Sequence, residues 1–330
     1  MHESEDNKQS SADIVSNATQ PSIISDPSVA PSSAANSKPL AGKVALVAGA
    51  TRGAGRGIAA MLGEAGATVY CTGRTTSAQR SDLNRPETIE QTAAFVEHYG
   101  GKGIAVQVDH TDEQQVKRLF QQIAAEQDGQ LDIVVNDIWG GEKLTEWGVP
   151  FWQHSLPNGL LMQDRVYRTH LITSHYAAPL LVARGTGLII EVTDGTDYRY
   201  RGNLYYSLAK IAPIHMATAM AEELKVHGVA AIAVTPGFLR SEEMLEYYRV
   251  NESNWQDAIH GDRPHAEHFR ESETPFFVGR AIAALASDCD YMAKSGQALS
   301  SWELSDEYDI VDIDGRRPHW GRYAAAHGLG

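Results

Sequence analysis

Tyr206 and Lys210 stand four residues apart in Tyr206-Ser207-Leu208-Ala209-Lys210, inside a long stretch of helical character. On a helix that spacing puts both side chains on one face, roughly 5–6 Å apart. A free phenol ionises near pH ~10, too high for proton transfer at neutral pH. A neighbouring ammonium favours the phenolate, and a shift of ~3 units corresponds to roughly 4 kcal/mol, attainable at a buried site. The chemistry on offer is general acid–base work on an oxygen. Tyr-x-x-x-Lys also arises by chance in helices, so the pair gains meaning only from the elements that hold it.

A second candidate lies far upstream. Val44 to Ala48 is a short, β-branched apolar run that suits a buried parallel strand, and Gly49, Gly53 and Gly55 follow it before a helix. Glycine admits positive φ and lets a ligand approach the backbone. The helix that follows aims free N–H groups and its dipole into the turn, a setting for a pyrophosphate. The spacing fits neither a P-loop, since no Gly-Lys-Ser/Thr closes it, nor G-x-G-x-x-G, since Ile58 stands at the last glycine position. An ordinary glycine-rich turn is the plain alternative. At the end of the second strand an acid would bind the ribose 2′-hydroxyl of NAD. None occurs between Val69 and Arg74. Arg74 instead offers a planar cation for the 2′-phosphate of NADP, with Arg52 in the turn able to reach the same group. NADP is therefore the expected cofactor, with NAD less favoured.

The elements that must position these groups alternate. Strands are expected over 44–48, 67–72, 103–108, 131–136, 187–193 and 229–235, with a short one over 297–301. Helices are expected over 58–66, 87–99, 112–126, 160–183, 205–227 and 275–287. This rhythm implies an α/β, Rossmann-type, doubly wound parallel sheet in a single domain, 39–330. Gly49, Arg74, Asp109 and Asn136 all fall at the carboxyl ends of strands, where such sheets bind ligands. Two segments break the rhythm, 137–158 and 238–274, both irregular and aromatic; they read as substrate-side insertions. The first 38 residues, rich in Ser, Ala, Asn and Pro, read as a disordered tail.

These residues resemble the short-chain dehydrogenase/reductase family. Its T-G-x-x-x-G-x-G turn appears as Ala48-Gly49-Ala50-Thr51-Arg52-Gly53-Ala54-Gly55, its Y-x-x-x-K as Tyr206 to Lys210, and its post-strand Pro-Gly as Pro236-Gly237. The resemblance covers about residues 40 to 304. It implies a Rossmann-type domain, hydride transfer to or from NAD(P), and homodimers or homotetramers built through the two long helices. It further implies Asp109 near the adenine, Asn136 beside the cofactor ribose, and Lys210 holding the nicotinamide ribose while tuning Tyr206. The positive nicotinamide ring of an oxidised cofactor would add to that tuning.

Departures mark a divergent branch. The family's N-N-A-G stands here as Asn136-Asp137-Ile138-Trp139, and Val166 takes the place of a helix asparagine that serves a proton relay. The catalytic serine is replaced by Thr193 or Asp194. Thr193 is the expected substitute, because its hydroxyl can polarise a carbonyl. Asp194 could do so only when protonated, or could bind a substrate hydroxyl or amine.

Bulk properties narrow the partners. A net charge of −14 over 330 residues disfavours nucleic acid and anionic membranes. No apolar run approaches the ~18 residues of a membrane helix. Cys71 and Cys289, far apart in sequence, suit a reducing cytoplasm. No metal is expected: His260, His265 and His268 lack His-Glu-x-x-His spacing, and Asp312 to Gly315 lacks the rest of a calcium loop. The leading reading is an NADP-dependent oxidoreductase on a carbonyl or alcohol. A non-catalytic NADP-binding sensor is the alternative, motivated by the altered N-N-A-G and the missing serine. A sugar-nucleotide epimerase would carry G-x-x-G-x-x-G, which the gap between Gly49 and Gly53 does not match.

Overall fold

The computed structural model describes residues 38–329, so the expected disordered tail lies outside the described residues except for Lys38. Seven parallel strands form one sheet: β1 Val44–Ala48, β2 Thr68–Gly73, β3 Lys102–Gln107, β4 Ile133–Asn136, β5 Gly187–Val192, β6 Val229–Thr235 and β7 Ala298–Ser300. Their order is β3-β2-β1-β4-β5-β6-β7. The order reverses between β1 and β4, and in such a sheet the crevice at that point receives ligands. Ala48 pairs with Thr72 on one side and Asn136 on the other, so β1, β2 and β4 end level beneath that crevice.

Helices cover both faces. Ala45, Val47, Val69 and Cys71 point to the face packed by α1 (Gly53–Glu64), α2 (Ile89–His98) and α8 (Pro275–Ser287). Leu46, Tyr70 and Val134 point to the face packed by α3 (Glu113–Glu126), α5 (Tyr167–Arg184) and α6 (Leu204–Leu224). Every residue of β1 is buried. Each large aliphatic side chain buried in this way contributes about 1.5–3 kcal/mol.

Local signals account for most boundaries. Thr88 and Gln91 form a reciprocal capping box that starts α2, and Asp112 caps α3. Asn203 accepts from the Tyr206 backbone N–H at 3.1 Å, which fixes Tyr206 in the first turn of α6. Three expectations need correction. Helix α1 begins at Gly53, not Ile58, because its glycines let it approach α8 closely. A Cβ on Gly57 would lie 1.9 Å from the Pro275 carbonyl oxygen. The helix expected over 160–183 is two helices, α4 (Leu156–Arg165) and α5, separated at Val166, whose φ of −110° and ψ of −92° leave the helical region. Ser155 and Pro157 supply the earlier start. The 238–274 segment is not wholly irregular: it carries α7 (Glu242–Tyr248) and two 3-10 turns. Two short C-terminal helices, α9 (Ser301–Tyr308) and α10 (Trp320–His327), follow β7.

Candidate active site

A cavity of about 980 Å³ opens over the ends of β1, β2, β4, β5 and β6. The glycine turn forms its floor. Gly49 has φ +92°, and a Cβ there would lie 2.3 Å from the Asp137 carbonyl oxygen, so the turn and the end of β4 touch backbone to backbone. Gly49, Thr51, Arg52 and Gly53 line the cavity. Gly55 lies behind it, where a Cβ would lie 2.4 Å from the Gly49 carbonyl oxygen and 2.8 Å from Asp137 Oδ2. The Gly53 N–H, at the start of α1, donates to Glu242 Oε2 at 2.8 Å. Glu242 also meets Arg56 Nη1 at 3.3 Å, and both are about 95% buried. A carboxylate suits the positive end of a helix.

The two arginines expected to bind a phosphate are each paired with an acid. Arg52 donates to Glu142 at 2.7 Å, and Arg74 meets Asp82 at 2.9 Å. Both line the cavity, as does Asp109, whose Oδ1 accepts from the Thr111 N–H and hydroxyl. Asn136 departs from the expected ribose contact. It is fully buried beneath the cavity, with Nδ2 donating to Ser174 and Glu191, because this position of β4 faces the side of the sheet covered by α5. Glu191 also receives His170 Nδ1 at 2.6 Å, while His170 Nε2 lies 3.2 Å from the Ile138 carbonyl oxygen. Pro236 lines the cavity, whereas the Gly237 N–H points away to Glu273.

At the far end stand Tyr206 and Lys210. The Tyr206 hydroxyl donates to Asp194 Oδ2 at 2.8 Å. Thr193, the expected serine replacement, is not that neighbour: its hydroxyl donates to the Lys210 backbone carbonyl. Just past the end of β5 both residues meet α6, Thr193 at the Lys210 backbone carbonyl and Asp194 at the Tyr206 phenol. Tyr206 sits between Trp139 and Trp147, with ring centroids 5.6 and 5.1 Å away. The Lys210 ammonium lies 4.0 Å over the Trp139 ring and 5.8 Å from the Tyr206 ring centre.

The electrostatics differ from the simple Tyr–Lys expectation. Burial and then the Asp194 carboxylate push the Tyr206 phenol well above its usual value. Burial pulls the Lys210 ammonium down. Burial raises the Asp137 carboxyl to about 7, against the pull of Lys210 and His170. The arrangement therefore holds the phenol protonated at neutral pH.

Glu142, Glu242 and Arg165 escaped the sequence reading, and Asp137 stood there only as a departure from N-N-A-G. Arg56 carried a usable signal, since a charge on an otherwise small and apolar helix face requires a buried partner. Nothing local marked Glu242 as that partner, 186 positions later. Both irregular segments reach the cavity, through Trp139 and Trp147 from one and Met244 and Tyr247 from the other. Among the described residues no cluster of His, Cys, Asp and Glu is arranged to hold a metal ion, and no helix is long and apolar enough to cross a membrane.

Residues 43–252 match the short chain dehydrogenase family model. The chain belongs to the short-chain dehydrogenase family. It is 34% identical over 280 residues to mouse "Dehydrogenase/reductase SDR family member 1", covering 84% of this chain and 85% of that protein, and it lies near that branch. Among solved structures, a putative dehydrogenase from Xanthomonas campestris superposes with a TM-score of 0.68 at 22% identity, covering 84% of this chain and 94% of that one. A 7α-hydroxysteroid dehydrogenase complexed with NADH and 7-oxo glycochenodeoxycholic acid superposes at 0.63, also at 22% identity, covering 84% and 96%. These two likenesses carry the fold. As a short-chain dehydrogenase the chain is an oxidoreductase of a family that uses NAD(P) and acts on small molecules.

Proposed function

We propose that this short-chain dehydrogenase interconverts a carbonyl and an alcohol with NADP(H), using Tyr206 as the general acid/base. One observation carries the reading: a single cavity joins the glycine turn to the Tyr206–Lys210 pair. Its residues fit a dinucleotide. Arg74 and Asp109 stand at one end, Gly49 and Gly53 present backbone without side chains in the middle, and Tyr206 and Lys210 close the other end. When bound, the nicotinamide group supplies or accepts the hydride. In the reducing direction the Tyr206 hydroxyl turns from Asp194 to the substrate oxygen and donates its proton there, giving the alcohol. In the oxidising direction it receives that proton back. Lys210 holds ribose hydroxyls and contributes positive charge. Asp194 orients and restrains the phenol, and Thr193 steadies the Lys210 turn of α6.

Arg74 and Arg52 support NADP over NAD, since neither strand β2 nor its first following residues bring an acid to the ribose. Segments 137–158 and 238–274 form the substrate side, within the single 39–330 domain. The exposed apolar residues Tyr167 and Leu171 on α5 and Leu204 and Leu208 on α6 support a homodimer or homotetramer. Free Cys71 and Cys289 suit the cytoplasm.

Following NADPH oxidation against a carbonyl panel tests the reading, with Tyr206→Phe as control. The variant is expected to lose 10²–10⁴-fold in kcat. Unchanged turnover in the variant would remove the mechanism. Tight NADPH binding with no turnover on any carbonyl would favour the non-catalytic sensor. Greater thermal stabilisation by NADH than by NADPH would overturn the cofactor assignment.

A further inference from the structure

Arg74 is not alone at the adenosine end of the cavity. Arg165, the last residue of α4, converges on the same carboxylate: Arg74 Nη2 reaches Asp82 Oδ1 at 2.9 Å, and Arg165 Nη2 holds Asp82 Oδ2. A second Arg165 nitrogen donates to the Gly140 carbonyl oxygen at 2.9 Å, which fixes the guanidinium against the 137–158 segment. Arg74 and Arg165 both line the cavity. Asp82 comes from outside it, on the irregular 74–88 stretch, and its side chain is 48% exposed. The other nearby cavity acid, Asp109, is engaged by Thr111.

We infer that Arg74 and Arg165 together form a two-guanidinium subsite for a phosphate monoester on the adenosine ribose, with Asp82 as a displaceable internal counterion. The inference rests on the reading that a dinucleotide occupies this cavity. Two cations facing one carboxylate leave an excess positive charge. A phosphate monoester brings about −1.5 to −2 at pH 7 and three acceptor oxygens, enough to engage two planar forks at once. A ribose 2′-hydroxyl brings no charge and has no means of displacing Asp82 from two guanidinium groups. The geometry therefore makes discrimination depend on α4, an element outside the glycine turn and outside β2. It also gives Asp82 a defined role: it occupies both guanidinium groups until the phosphate arrives, and it lowers affinity by competing with it.

Calorimetric titration of the full chain with adenosine 2′,5′-bisphosphate and with 5′-AMP isolates this subsite from turnover. The wild-type protein is expected to prefer the bisphosphate. Arg165→Met is expected to weaken bisphosphate binding about tenfold, with 5′-AMP changed less than twofold. Arg165→Lys, which keeps the charge and the helix end, is expected to recover part of the loss. Asp82→Asn is expected to strengthen bisphosphate binding several-fold. No preference in the wild-type protein, an equal loss for both ligands in Arg165→Met with the melting transition unchanged, or weaker bisphosphate binding in Asp82→Asn would each overturn the inference. Turnover with NADH alone would count against the NADP reading, whereas NADPH preference that survives Arg165→Met and Arg165→Lys would count against Arg165 only.

Discussion

Replacing Asp194 by Asn is the sharpest probe of the catalytic end. The change keeps the shape and an acceptor oxygen but removes a negative charge 2.8 Å from the Tyr206 hydroxyl. Asp194 is half-exposed, so solvent screens it. At that distance a unit charge contributes about 1.5 kcal/mol at a water-like dielectric and about 3 kcal/mol at half of it. Those energies correspond to about one to two pKa units. In the intact protein, burial and Asp194 hold the phenol well above its usual value. Tyr206 must be protonated to donate, so reductase activity is present below its pKa and lost as pH rises through it. Asp194→Asn should bring that loss about one to two units lower, with carbonyl reduction at neutral pH preserved. The assay is kcat/KM between pH 6 and 11 under saturating NADPH, with Tyr206→Phe as baseline; the intact protein should hold its activity across that range, and Asp194→Asn should lose activity toward its top. An alkaline limb that stays in place, or moves to higher pH, would refute the assignment of Asp194 as the group restraining the phenol.

Three further outcomes follow from buried groups. Glu242→Ala leaves Arg56 buried without its carboxylate and strips the acceptor from the Gly53 N–H; stability should fall by about 3–5 kcal/mol. A denaturant midpoint shift worth less than about 1 kcal/mol would show that this pair contributes little. Gly55→Ala would press a methyl against the Gly49 carbonyl and Asp137, costing about 1–3 kcal/mol and at least tenfold in NADPH affinity. Affinity unchanged by fluorescence titration would mean the turn does not need that close approach. Burial raises the Glu273 carboxyl from 4.5 to about 8. Its folded form thus holds a proton more tightly than its unfolded form, so its contribution is full below the lower value and lost as pH rises through the higher. Glu273→Gln keeps the neutral form and should flatten the decline in melting temperature between pH 5 and pH 8.5; parallel declines in both proteins would contradict the origin assigned here.

Much of the architecture follows from short-range pattern. Apolar runs such as Val44–Ala48 and Val229–Thr235 are long enough to cross a buried sheet and too short for core helices, and they alternate with helical periods. The doubly wound parallel class and the family followed from that alternation and from three spaced motifs. The Val166 break was not legible, because no Gly or Pro marks it and only the backbone angles change. At the site, local spacing brought out Gly49, Tyr206 and Lys210, since each belongs to a short motif on a single element.

Residue types and spacing alone thus determined the parallel α/β fold and one face carrying a phenol and an ammonium. Tertiary structure decided which charges meet. Glu242 reaches Gly53 across 189 positions, Arg165 joins Arg74 on Asp82, and Asp194 displaces Thr193 as the neighbour of Tyr206. The physical reason is that charge energetics depend on burial and on distance through space. Two charges in water interact weakly at any sequence separation, whereas the same charges buried together set protonation and stability.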